Sequence, residues 1–100
     1  MRVVITWDLA DKGRPELARE AFAVIRAVAA ASEEACIESS DAEGIVLRVE
    51  PAEMPGLGRE WAVENLVEWV RRAAEDASIV EVVVEDDDGR ILYEKRRVPT

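Results

Sequence analysis

Two stretches of helical periodicity, each followed by a pair of strand-like segments, limit what this chain can fold into more than any other feature. At 100° per residue, Leu17, Ala21, Val24, Ile25 and Val28 share one sector of a helix running from Pro15 to Ala31. Phe22 sits at the edge of that sector, and Glu16, Arg19, Glu20 and Arg26 fall opposite. Pro15 suits a first helical position, because its fixed φ fits and its missing N–H is not needed there. Ala23, Ala27 and Ala30 fall on the solvent side, where alanine favours the helix intrinsically. A second helix, from Arg59 to Ala77, gathers Ala62, Val63, Leu66, Val67, Trp69, Val70, Ala73 and Ala74 in its apolar arc. Glu64, Glu68, Arg71, Arg72 and Glu75 lie on the other side.

Between and around the helices the period changes to two. Residues 2–9 alternate Val3, Ile5 and Trp7 against Val4, Thr6 and Asp8, as a half-buried strand does. Residues 35–40 and 45–50 flank the turn DAEG, where Gly44 offers a positive φ, and Ile45, Leu47 and Val49 form the inward row of the resulting hairpin. The segment PAEMPGLG, with two prolines and two glycines, is the longest loop. A last hairpin joins residues 78–87 to 90–98 through Asp88-Gly89, a pair suited to a tight turn, with Val80, Val82 and Val84 on one face. The order is β-α-β-β-α-β-β. One hundred residues make one domain, 1–100, with one core.

That order resembles the ferredoxin-like fold, β-α-β-β-α-β, extended by a fifth strand. The resemblance is one of topology and carries no function with it. It implies an α+β two-layer sandwich, two helices on one face of a five-stranded sheet, in the order 5-4-1-3-2 with right-handed crossovers. The uncovered face then shows Val4, Thr6, Val46, Arg48, Glu81 and Val83, with Arg48 and Glu81 placed to interact across Thr6. A face so interrupted by charge favours a monomer over a homodimer built on it.

Composition narrows function by exclusion. The net charge of −9 opposes nucleic-acid binding, which draws on Lys and Arg to displace counterions. Lys95, Arg96 and Arg97 form the one basic cluster, placed in the last strand, where charge discourages edge-to-edge pairing. The opening run MRVVITWDL is broken by Thr6 and Asp8, so neither a secretory segment nor a membrane span is expected, and the chain reads as cytoplasmic. There is no His or Gln, and Cys36 is the single cysteine. No zinc or haem ligand set, disulfide, cofactor or partner is predicted, and no catalytic residue is assigned.

The remaining candidates have plain explanations. Cys36 lacks the imidazole or base that a nucleophilic thiol requires and reads as a small strand residue at the edge of the core. Glu85, Asp86, Asp87 and Asp88 lack the spacing of a calcium loop and read as a solvated turn. Gly56 and Gly58 match no phosphate-binding motif. Trp7 and Trp69 are expected in the core. Trp61 leaves the apolar arc toward Asn65, Glu68 and Arg72, where it either packs on Leu57 and Met54 or marks a shallow ligand site; it is the one ligand-site candidate.

Turn chemistry, periodicity, alanine-rich helix surfaces and a sparse polar set all agree, and such agreement is the aim of de novo design. The chain therefore resembles a designed ferredoxin-like scaffold, not an enzyme, with no evolved activity. The alternative is a small natural ligand-binding or regulatory module of the same fold, possibly dimeric, from a high-GC gene that favours Arg over Lys.

Overall fold

Val3 and Ile5 set the centre of the sheet, because their β-branched side chains pack on a pleated surface and both are fully buried. A computed structural model of the chain describes residues 1–7, 15–41, 44–76 and 80–96, and the side chains of 7, 15–18 and 80 are not described. The expected turn at 10–14, the inward placement of Trp7 and Leu17, and Arg97 lie outside that description. The described elements are β1 (Arg2–Trp7), α1 (Pro15–Ala30), β2 (Ser32–Ser40), β3 (Gly44–Pro51), α2 (Gly58–Asp76), β4 (Val80–Glu85) and β5 (Ile91–Lys95).

The strands form one sheet in the order β2-β3-β1-β4-β5, which counted from the β5 edge runs 5-4-1-3-2. Every neighbouring pair is antiparallel. β1 pairs on one side with β3, Val3 opposite Leu47 and Ile5 opposite Ile45, and on the other with β4, Val3 opposite Val84 and Ile5 opposite Val82. These inward residues form the floor of the core, and α1 and α2 cover it with Val24, Val28, Leu66 and Val70, all fully buried. Buried Ala62, Leu66, Val70 and Ala74, four residues apart, trace the inner stripe of α2. No buried side chain among the described residues is polar or charged.

Several expectations are corrected. Trp69 is 47% exposed, because it stands off the inner stripe, over the crease between the helices. Phe22 is exposed too and carries the Arg26 guanidinium 5.8 Å from its ring centre. The alanines of α1 are not merely a solvent face: Ala27 is buried, and with Ala23 and Ala30 it lines the crease against Trp69 and Ala73. Small side chains there let two helices approach.

Gly44 does not use a positive φ. It is needed for closeness, since a Cβ there would stand 2.3 Å from the carbonyl oxygen of Ile5. The Asp41 carboxylate and backbone close the turn, accepting from Gly44 N at 3.1 Å and donating from Asp41 N to Gly44 O at 3.0 Å. In the β4–β5 turn only Gly89 has positive φ, at 83°. Gly89 N donates to Asp86 O at 3.1 Å and Asp86 N to Arg90 O at 2.9 Å, the three-residue loop in which glycine takes the left-handed position. Asp86 Oδ1 accepts from Asp88 N and Arg90 N, both at 2.9 Å, so this member of the acidic run holds the turn.

Lys95 does more than guard an edge: its Nζ donates to the Ala74 carbonyl at the end of α2, where a cation meets unsatisfied carbonyls and the negative end of the helix dipole. Arg96 binds Glu94 at 2.8 Å and approaches Glu81 at 3.7 Å. Arg48 is level with Arg2, which is level with Glu85, so Glu81 lies four residues further along β4 and does not reach Arg48.

Candidate functional site

β2 sets this surface apart from an ordinary two-layer domain. The strand starts at Ser32, directly after α1, three residues earlier than the periodicity implies. From Glu33 to Ser40 every residue is exposed, on both faces. The register places Ala35 opposite Val49 and Ile37 opposite Leu47, so both point to the side that the helices cover elsewhere. Both are exposed there, Ile37 at 64%.

The cause is geometric. Two helices packed about 10 Å apart cover about 20 Å of sheet, whereas five strands at about 4.8 Å spacing are about 24 Å wide. α2 reaches as far as β5, whose Leu92 and Tyr93 pack against the core, and burial pushes the Tyr93 hydroxyl above its usual range. The uncovered strand is therefore β2.

Two glutamates break the β2–β3 ladder. The register shifts between Ser32 and Glu34 and again between Ile37 and Ser39, so Glu33 and Glu38 are the extra residues and Glu34–Ile37 is the regular run between them. On the open face Glu38 accepts two bonds from Arg2, at 2.9 and 3.0 Å, which hold its carboxyl below the usual range. This clamp ties the edge strand to β1 across β3. Glu50 is held by Arg59, which also lies 3.6 Å from Asp87. The N-terminal ammonium binds Asp87 at 2.8 Å and lowers the Asp87 carboxyl, while donating to Val49 O at 2.9 Å. Among the described residues no cation sits on Glu33 or Glu34.

Beside this edge lies a concavity of about 670 Å³, whose walls include Glu34, Cys36, Glu38, Arg48, Glu50 and Asp87. Cys36 is exposed here and not at the core margin, because the register sets it opposite Arg48, on the face of the sheet away from the helices. Its Sγ donates to Glu34 at 3.6 Å, so the group it touches is an anion and not the cation or imidazole that prepares a nucleophilic thiol. Among the described residues no three His, Cys, Asp or Glu side chains converge as metal ligands would.

The sequence candidate, Trp61, is half-buried on the first part of α2, and Met54 and Leu57 near it are exposed. It does not line the concavity at β2. The signal that points to the edge is Ile37 flanked by polar residues in a strand that follows α1 without a loop. No described helix is long and apolar enough to cross a membrane. Comparison with protein-family models, curated proteins and solved structures returned no match.

Proposed function

We propose that this chain is a non-enzymatic protein-interaction module of ferredoxin-like topology, monomeric alone, which takes an extended segment of a partner as a sixth strand along β2. The observation that carries this reading is the exposure of β2 on both faces with Ile37 uncovered on the core side. An edge strand offers unpaired backbone N–H and C=O groups, and strand addition draws affinity from them and specificity from alternate side chains.

A second reading, a scaffold designed for its fold alone, is favoured by the core: among the described residues no polar side chain is buried and no buried polar side-chain atom lacks a partner. It leaves the bare Ile37 without a role, since designs keep such residues off the surface.

One selection separates the two. A phage-displayed library of linear peptides is panned on the immobilised protein, and binders are mapped by amide chemical-shift changes. The module reading requires enriched peptides that perturb residues 33–40 and lose binding to Ile37→Asn, a variant whose circular dichroism stays unchanged. No enrichment, or perturbation centred on Trp61 or the helix crease, refutes it.

A further inference from the structure

We infer that the sixth strand on β2 is cationic, an extended segment alternating apolar residues with Lys or Arg; this rests on the strand-addition reading and names its partner's chemistry. The pleat sorts the two kinds of side chain. Residues of an added strand that point to the helix side meet Ile37 and Ala35, which are apolar and bare. Those that point to the open side meet Glu34, with Arg48 and the already paired Glu50 and Asp87 on the wall behind it.

The acids are not equivalent. Glu38 and Glu50 already have Arg2 and Arg59. Glu33 and Glu34 are consecutive on the edge strand and without a cation among the described residues, so the outermost charge is negative, while Arg48 lies one strand further in, opposite Cys36. Like charges directly opposite one another destabilise a strand pair and opposite charges support it.

The same arrangement argues against a second copy as the occupant. In an antiparallel self-pairing centred on Cys36, the midpoint of β2, Glu34 falls opposite the second copy's Glu38. Each copy also carries a net charge of −9. Acids on an edge thus discourage self-association and select a basic strand, and specificity of this kind needs the repulsive element as much as the attractive one.

The test uses three labelled peptides of equal length, alternating Val with Lys, Thr or Glu, titrated by fluorescence anisotropy at low and high salt. With about threefold per exposed ion pair and two pairs engaged, the Lys peptide should bind about tenfold tighter than the Thr peptide at low salt. The ratio should fall toward one at high salt, where exposed pairs are screened. The Glu peptide should show no binding. Glu33→Gln with Glu34→Gln should remove the Lys preference and leave Thr-peptide binding in place. Equal binding of Lys and Thr peptides overturns the cationic inference while the edge reading stands. Binding of none overturns both. A Lys preference that survives the double variant, or a dimer through β2 in sedimentation, overturns the inference as well.

Discussion

Replacing Gly44 with alanine tests how the β1–β3 pair is built, and with it the placement of the edge. The new Cβ would stand 2.3 Å from Ile5 O and 3.2 Å from Thr6 Cα, short of the 3.0 Å that a Cβ tolerates in the first contact. Both contacts are to backbone, so no rotamer relieves them and the strands must part by the 0.7 Å shortfall between 2.3 and 3.0 Å. Parting the last pair of the ladder, Thr6 with Gly44, forfeits one or two hydrogen bonds at about 1 kcal/mol each. Overfilling adds about 1–3 kcal/mol. Alanine returns about 0.4–1 kcal/mol by narrowing the unfolded ensemble. The net loss is about 3 kcal/mol, or roughly 12–24 °C in Tm for a chain of this size. Urea denaturation followed by circular dichroism reads it as a lower midpoint at constant m. Because the Asp41–Gly44 turn also sets the start of β3 against β2, amide shifts in 39–46 should accompany the loss. A variant as stable as the parent would refute the close approach.

Leu66→Ala should cost about 2–5 kcal/mol, since it opens a cavity under α2, whereas Trp69→Ala should cost well under that despite removing a larger side chain; the same urea titration compares them. Lys95→Ala should destabilise by about 1 kcal/mol through the lost contact with the Ala74 carbonyl, and Lys95→Arg should recover part of it. Glu68 receives bonds from Arg71 at 2.6 and 2.9 Å and from Arg72 at 3.0 Å, and these guanidiniums pull its carboxyl from 4.5 down to about 2. A folded value below the unfolded one means that its contribution is complete above about pH 4.5 and is lost as pH falls toward about 2. In an acid titration Glu68→Gln should therefore lower stability at neutral pH, leave it little changed near pH 2 and flatten the curve between, and an unaltered slope would refute the pairing.

The elements, the inward row Ile45, Leu47 and Val49, and the pairing order across the sheet were legible because periods of two and 3.6 separate cleanly in this chain. Trp69 and Phe22 were not, since a helical wheel gives the direction of a side chain but not whether a neighbouring element stands there. The reading of Gly44 as a turn glycine failed for a related reason: close backbone approach between β1 and β3 is a tertiary fact that local turn chemistry does not contain. Lys95 was visible as a charge, but its partner, Ala74, lies on another element. The sequence singled out Trp61 and not the β2 edge, and Trp61 does not line the concavity there. Alternation in ACIESS is the signature of a half-buried strand, and only the width of the sheet against that of two helices reveals that its inner side is bare.

That width also explains why the edge must carry acids at all. In this sheet the β2 flank is left open, and an open flank with an exposed isoleucine is a template for indiscriminate pairing. Here both residues inserted at the register shifts, Glu33 and Glu38, are acidic, so the distortions that limit pairing and the charges that repel another copy occupy the same positions. Between them Glu34–Ile37 keeps regular register with β3. Protection is thus incomplete in one place only, and the run left competent is the one that carries Ile37. A strand defended purely against aggregation has no need to leave its apolar residue in its one regular segment; a glutamate at 37, next to the shift at Glu38, would have closed the edge.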